Sequence, residues 1–160
     1  MPSRPFARLL LATLLTTGVG VATSITPALA GGPTRHHSSE PAKKKRKPTV
    51  KVATTSLGAI LVAGNGKTLY AFDPDGTTTS ASQCTGGCAG IWPPLTTKSG
   101  KVVAGKGLDA TKLTVGGAKQ VAYNGHLLYF YAPDAAPGDT GGQGIGGVWH
   151  AVGADGNPVT

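Results

Sequence analysis

The sequence is poor in the residues that build long helices and many reactive sites. Its 160 residues contain one Met, one Glu and two Cys. Long helical periodicity is absent, which argues against a helical domain. Because Met1 is the only methionine, the axial ligand typical of a blue-copper site is missing. No segment after the first thirty residues is apolar enough to span a bilayer, and no Cys lies near the N-terminus to carry a lipid.

The N-terminal thirty residues have the parts of a secretory signal peptide. Arg4 and Arg8 supply a short positive region, and an uncharged apolar run follows over residues 9–22. The segment ends in Ala28-Leu29-Ala30, whose small residues suit a signal peptidase. We predict a signal peptide over residues 1–30 and a secreted or cell-envelope protein. A membrane anchor is the alternative, but the apolar run is shorter than the roughly 20 residues that a spanning helix needs.

Positive charge is concentrated in residues 31–51. This segment holds seven basic residues against Glu40, whereas residues 52–160 hold six Lys against six Asp. The segment is rich in Pro, Ser and Lys and offers no apolar cluster to bury, so we predict a disordered basic linker. The neutral charge of the domain gives no support for nucleic-acid binding.

The densest part of this linker has the composition of a nuclear-localisation signal, but a secreted chain does not reach a nucleus. We expect the run to tether the protein to anionic cell-wall polymer or lipid, because each basic residue near such a surface contributes about 1 kcal/mol. A soluble spacer without a partner is the alternative. The five residues of the run are Lys43, Lys44, Lys45, Arg46 and Lys47.

Residues 52–160 are predicted to form one all-β domain, an antiparallel sandwich or barrel. The segment is rich in Thr, Val, Gly and Pro, and short apolar runs alternate with turn sequences such as GNG, DPDG and ADGNP. Short strands separated by Gly-containing turns are typical of antiparallel β structure. The candidate strands are VKVAT, AILVAG, KTLYAFD, KVVAG, KLTVG, KQVAYN, HLLYFYA and VWHAVG.

The domain contains an internal repeat. NGKTLYAFDPD, which starts at Asn65, aligns with NGHLLYFYAPD, which starts at Asn124. Each copy opens with an Asn-Gly hairpin turn, continues as a strand with aromatic residues on one face, and ends in a Pro-Asp turn whose carboxylate can accept backbone N–H bonds. We predict two related β units, over about residues 56–95 and 116–152, whose aromatic faces pack together. The repeated positions are Tyr70, Phe72, Asp75 and Trp92 in the first unit and Tyr129, Tyr131, Asp134 and Trp149 in the second.

These motifs resemble the bacterial secreted-repeat family, the predicted lipoproteins with a Yx(FWY)xxD motif. The two motif copies are YAFDPD and YFYAPD, and they occur together with LGAILV, WPPL and GGVWHAV. The similarity spans about residues 56–152. It implies a bacterial extracytoplasmic protein and no particular activity, because the family has no known function. The lipidation Cys of the lipoprotein members is missing here, which favours a released or wall-associated form.

Cys84 and Cys88 are the only cysteines. An even pair in a secreted chain indicates a disulfide, which would fix the loop that precedes Trp92. The alternative is an extracytoplasmic redox or metal site that combines the two cysteines with His126 and His150. The C-x₃-C spacing differs from the C-x-x-C of thioredoxin-like and zinc sites, which disfavours that alternative.

The remaining polar motifs do not form a recognisable catalytic or cofactor site. DPDGT has too few oxygen ligands for a calcium loop and fits a type I turn. GGQGIGG lacks the strand and helix that flank a nucleotide loop, and we interpret it as a long, flexible loop before Trp149. We therefore expect a monomeric, non-catalytic protein without a cofactor that acts as a binding or structural module. An envelope hydrolase has no residue set to support it.

Overall fold

The computed structural model describes residues 46–47, 49–77 and 79–160. The described residues belong to one compact unit. The predicted signal peptide, most of the basic linker and three of its five clustered cations lie outside the described residues; the three are Lys43, Lys44 and Lys45.

The described chain is built from seven short strands and very little helix. The strands are β1 (Val50–Thr55), β2 (Gly58–Ala63), β3 (Tyr70–Phe72), β4 (Leu113–Val115), β5 (Val121–Tyr123), β6 (His126–Leu127) and β7 (Trp149–Ala151). One short helix, α1, spans Gly87–Ile91, and 3₁₀ turns lie at Asp73–Asp75, Ala110–Lys112, Gly117–Lys119 and Ile145–Gly147. None of the helices in the described ranges is long and apolar enough to cross a bilayer.

The paired strands of the described chain are antiparallel. β1 and β2 form a hairpin in which Val50 lies opposite Ala63 and Thr55 lies opposite Gly58. β3 pairs with β7, and β4, β5 and β6 form a three-stranded meander. Single bridges, such as the one from Ile60 to Gly153, join these small sheets. The all-β, antiparallel class predicted from the sequence is confirmed.

Two of the predicted strands differ from the structure. KVVAG, residues 101–105, contributes only one parallel bridge to the start of β1. HLLYFYA, residues 126–132, is a strand only at His126–Leu127, because the chain then changes its partner and Tyr129 bridges to Tyr70 of β3. An apolar pattern identifies a buried segment but does not say which segment it pairs with.

The strands separate two buried clusters. Because successive side chains of a strand point to opposite faces, Leu61 of β2 joins the first cluster while its neighbours Ile60 and Val62 join the second. The first cluster is largely aliphatic and includes Val50, Leu61, Leu69, Leu113, Val121, Leu128 and Val152. The second cluster gathers the repeated aromatic residues and is built around Tyr70, Trp92, Tyr129 and Trp149 together with Cys84.

Candidate functional site

The two repeats meet at a pair of equivalent residues, Tyr70 and Tyr129. Both side chains are fully buried. The two residues form an antiparallel bridge in which each backbone N–H donates to the carbonyl of the other, at 2.9 Å in both directions. A residue pair that exchanges both hydrogen bonds in this way has a local two-fold axis between its members. The two copies of the repeat are therefore related by an axis that passes through this bridge.

Across this axis, the motif Asp of each repeat binds the tyrosine of the other. The Tyr70 hydroxyl donates to Asp134 Oδ2 at 2.6 Å, and the Tyr129 hydroxyl donates to Asp75 Oδ2 at 2.5 Å. We call these two contacts the crossed pairs. They join residues that are 64 and 54 positions apart in the chain. Hydrogen bonds, as well as apolar packing, thus hold the two halves of the domain together.

The second oxygen of each of these carboxylates is also occupied. Asp75 Oδ1 accepts from the backbone N–H of Gln83 at 2.6 Å, and Asp134 Oδ1 accepts from that of Gly141 at 3.0 Å. Asp75 and Asp134 are 3% and 4% exposed, and no buried side-chain polar atom of the described residues lacks a partner. Because an unsatisfied buried polar group costs roughly 1–3 kcal/mol, these backbone contacts are part of what makes burial of the two carboxyl groups tolerable.

Burial raises the pKa of both tyrosine hydroxyls, and their carboxylate partners raise it further. The pKa of Tyr129 rises to about 12, because of burial and of its hydrogen bond to Asp75. The pKa of Tyr70 rises well above its ordinary range because of burial and of its hydrogen bond to Asp134. Both hydroxyls therefore stay protonated at neutral pH, which suits permanent donation to a carboxylate rather than proton exchange.

Four aromatic rings from the two repeats form a continuous stack. Trp92 and Trp149 lie face to face at its centre, with ring centroids 3.8 Å apart and an interplanar angle of 1°. Phe72 stacks on Trp149 at 4.2 Å, and Tyr131 lies against Trp92 at 4.5 Å. Each end ring thus covers the tryptophan of the other repeat. The aromatic stack follows the same crossed arrangement as the tyrosine–aspartate contacts.

The two central tyrosines pack with their ring edges against this stack. Tyr70 meets Trp92 at 5.5 Å and Tyr129 meets Trp149 at 5.3 Å, both in a T-shaped arrangement. Edge-to-face contacts of this kind are worth about 0.5–1.5 kcal/mol beyond the area that they bury. The sequence predicted that the aromatic faces of the two units pack together, and the structure brings all eight repeated positions into one site.

Gly142 is a loop residue that packs directly on this site. It is buried, and its N–H donates to the Tyr70 hydroxyl oxygen at 3.2 Å. A Cβ at this position would lie 2.7 Å from the Tyr70 ring and 3.0 Å from the Trp92 ring. GGQGIGG is therefore not the free loop that the sequence suggested, because its second glycine belongs to the aromatic cluster. Sequence analysis missed this role, since a glycine run does not indicate what its backbone contacts.

The disulfide predicted between Cys84 and Cys88 is present. Cys84 is buried in the aromatic cluster, and the carbonyl of Cys88 accepts from Trp92 N at 2.8 Å. Cys84 N donates to Ser82 Oγ at 3.0 Å, and this oxygen lies 2.7 Å from the Tyr129 hydroxyl. The disulfide thus stabilises the segment between the first Pro-Asp turn and Trp92.

The two cysteines and two histidines are not assembled into a metal site. The sulfur atoms are bonded to each other, and the described ranges contain no group of three or more His, Cys, Asp or Glu that is placed to hold a metal. His150 lies between Asp73 Oδ2, at 3.3 Å, and the Val159 carbonyl, at 3.1 Å. His126 is part of β6. Its backbone lies opposite Tyr123 of β5.

Comparison with known proteins agrees with the two-repeat architecture. A family described as a secreted repeat of unknown function matches residues 51–96 and 110–153, which together make up more than half of the chain. Each match contains one Tyr and one Asp of the crossed pairs and one half of the aromatic stack. No curated protein and no solved structure gave a match. The chain belongs to this family of secreted repeats and carries two copies of the repeat.

Proposed function

We propose that this extracytoplasmic protein is a non-catalytic binding or structural module of the cell envelope, retained there by its basic linker. The observation that supports a non-catalytic role is the use of the repeated polar groups within the fold. Two Asp carboxylates and two Tyr hydroxyls are buried and bonded to each other and to backbone N–H groups. Acid–base catalysis needs a group that reaches a substrate, and the four side chains of the crossed pairs are buried and already bonded within the fold.

The same contacts support a monomeric state. In a symmetric dimer each subunit supplies the partners that the other lacks. Here the two repeats supply these partners to each other within one chain, through the crossed pairs and the aromatic stack. The repeat interface is thus already occupied, and we propose that the protein is retained at the envelope as a single chain.

Retention is assigned to the basic linker because it holds most of the unbalanced charge. Arg46 and Lys47 are exposed immediately before β1, and three further lysines precede them in the sequence. Each contributes about 1 kcal/mol near an anionic surface, and salt screens the attraction over a Debye length of about 8–10 Å. The linker therefore suits reversible association with anionic polymer or lipid rather than permanent anchoring.

The experiment is a retention assay on isolated envelopes. In the test variant, all five clustered cations are replaced by Ser: Lys43, Lys44, Lys45, Arg46 and Lys47. We expect this variant to be released at low salt, where the wild type stays bound, and we expect added salt to release the wild type. The melting temperature should not change, because the replaced side chains described by the structure are exposed.

A charge-preserving variant is the matched control. Replacing the four lysines of the run by Arg keeps the charge and changes the side chains, so retention should persist if charge is the cause. Equal retention of the Ser variant and the wild type at low salt would show that the linker is only a spacer.

A further inference from the structure

We infer that the folded domain itself presents a surface for a linear phosphate polymer, continuous with the basic linker. The surface consists of five lysines, which we call the basic face: Lys51, Lys98, Lys101, Lys106 and Lys119. This inference rests on the proposed retention at the envelope and adds a second contact region to it. Residues 52–160 have no net charge and Lys51 adds only one positive charge, so the inference depends on where the charges lie.

The basic linker enters the domain beside three of these lysines. Backbone hydrogen bonds of 2.8 Å join residues 49–50 to residues 103–105. Lys51 follows directly in β1, where its Cγ would be 3.3 Å from a Cβ placed on the glycine opposite. Lys101 and Lys106 flank the paired segment on the other side, and both are exposed. The backbone pairing therefore brings the segment that carries Lys101 and Lys106 beside the start of β1, where the linker ends.

Lys98 and Lys119 extend the basic face beyond Lys101. The Lys119 ammonium donates to the Lys98 carbonyl at 3.3 Å, and Thr97 N donates to the Lys119 carbonyl at 3.0 Å. The Thr97 hydroxyl donates to the Lys101 carbonyl at 3.0 Å, which closes the turn between Lys98 and Lys101. The three lysines are exposed and are held close together by these contacts.

The carboxylates of the described residues have partners other than the lysines of this face. The one ion pair among those residues joins His150 to Asp73, so no lysine of the face is neutralised by a described carboxylate. The other aspartates have partners of their own: Asp75 and Asp134 in the crossed pairs, Asp109 at Thr111, Asp155 at Asn157, and Asp139 at the Ala136 N–H. Residues 50–160 thus hold seven Lys against six Asp, and none of the five lysines of the face is ion-paired to a described carboxylate.

The chemistry of the face fits a chain of phosphate groups. Lysine binds phosphate as a point charge, and a single exposed contact is weak. A surface with several cations therefore suits a ligand with repeated anions. Once the first contact has formed, the later contacts form at a high effective concentration. A membrane surface fits less well, because basic membrane-binding segments commonly add apolar side chains that enter the interface. The one large apolar side chain exposed among the described residues is Ile91, in α1.

The test uses the mature protein and inorganic polyphosphate of defined length, with binding measured by calorimetry at low ionic strength. The variant K101Q/K106Q removes two charges from the basic face. The matched control K67Q/K112Q removes two charges from lysines outside it. We expect about 10-fold weaker binding for the face variant and less than about 2-fold for the control. The slope of log K against log salt should fall by about 1.4 in the face variant alone. Thermal melting checks that both variants are folded.

The outcomes separate this inference from the proposed retention. Equal losses in the two double variants would mean that only net charge matters, and would overturn the basic face. Wild-type binding by the face variant together with weak binding by the Ser linker variant would overturn the inference and leave retention by the linker intact. Undiminished binding in all variants would overturn both. Tighter binding to vesicles of anionic phospholipid than to polyphosphate, lost in K101Q/K106Q, would assign the face to a membrane instead.

Discussion

The hydroxyl of Tyr70 binds the carboxylate of Asp134 in the other repeat, and not that of Asp75 a few positions along its own motif. Tyr129 does the same in the opposite direction. The spacing between Tyr and Asp within one motif is therefore not the spacing of a local contact. Each motif places a donor and an acceptor that are used by the other motif, across the bridge between the two tyrosines.

The coupling energy between two substitutions should be larger for the residues of a crossed pair than for a Tyr and an Asp of the same motif. We expect Tyr70→Phe to lower the free energy of unfolding by about 1–3 kcal/mol, because it leaves a buried carboxylate oxygen without its donor. In a double-mutant cycle, Tyr70→Phe and Asp134→Asn should show a coupling energy of about 0.5–3 kcal/mol, which is the usual range for residues that share a hydrogen bond. The measurement is urea unfolding of the four proteins.

The matched control is the same cycle with Asp75→Asn in place of Asp134→Asn. Tyr70 and Asp75 belong to one motif but make no hydrogen bond with each other, since the carboxylate of Asp75 binds Tyr129 and Gln83. We expect smaller coupling here than across the repeats. Equal coupling in the two cycles would contradict the crossed arrangement.

The stacked tryptophans should carry a large share of the stability. Trp92→Ala removes a ring that contacts three other aromatic residues, and a cavity of this kind costs about 3–5 kcal/mol. Its chain neighbour Ile91 is 53% exposed, so Ile91→Ala should change stability by less than about 0.5 kcal/mol. Denaturant midpoints of the two variants give the comparison, and similar losses would show that the stack is not a main source of stability.

A methyl group added at Gly142 should be destabilising. Its Cβ would lie 2.7 Å from the Tyr70 ring, and overpacking of a buried site costs about 1–3 kcal/mol. Gly90→Ala is the control, because a Cβ there meets nothing within 4 Å and alanine favours the helix. We expect a lower melting temperature for Gly142→Ala and an unchanged or higher one for Gly90→Ala. A neutral Gly142→Ala would mean that the loop moves away from the rings at little cost.

Stability should fall in alkaline solution because of Tyr129. In the unfolded chain this hydroxyl loses its proton near its ordinary pKa of about 10, whereas in the folded protein the pKa is about 12. Between those values the unfolded state binds fewer protons, so the stability that is fully present below pH 10 is lost as the pH rises. Urea midpoints between pH 8 and 12 measure this loss. Tyr129→Phe should be less stable than the wild type at pH 8, but its stability should fall less steeply between pH 10 and 12. An equally steep fall in this variant would mean that other groups cause the alkaline loss of stability.

The disulfide should stabilise the domain modestly. Its loop is short, so the loss for a variant with both Cys84 and Cys88 replaced by Ser should be about 2 kcal/mol in the loop-entropy model. Mass spectrometry of native secreted protein with a thiol reagent should find no free thiol. Two reactive thiols in that material would contradict the bond and would revive the metal or redox alternative.

The fold class and the members of the site were predictable because they depend on local pattern. Short apolar runs with Gly turns indicated antiparallel β structure, and the motif copies at Asn65 and Asn124 indicated two related units that pack through aromatic faces. These features follow from side-chain periodicity and turn chemistry, which a single sequence contains.

The pairing between distant residues was not predictable on the same basis. Tyr70 has an acceptor of the right type in each repeat, and the sequence does not say which of the two it meets. The parallel bridge of Ala104 and the packing of Gly142 also depend on tertiary contacts, which produce no periodic pattern in the sequence. The placement of Lys101 near Lys98 and Lys119 was not predictable either, because net charge is a sum without positions.

The crossed contacts of Tyr70 and Tyr129 mean that neither copy of the repeat could form this site by itself. One copy alone has a tyrosine whose acceptor lies in the other copy, and it has only one tryptophan for a two-tryptophan stack. In this protein each copy therefore completes the other within a single chain. A substitution in either motif should therefore weaken contacts that belong to both repeats.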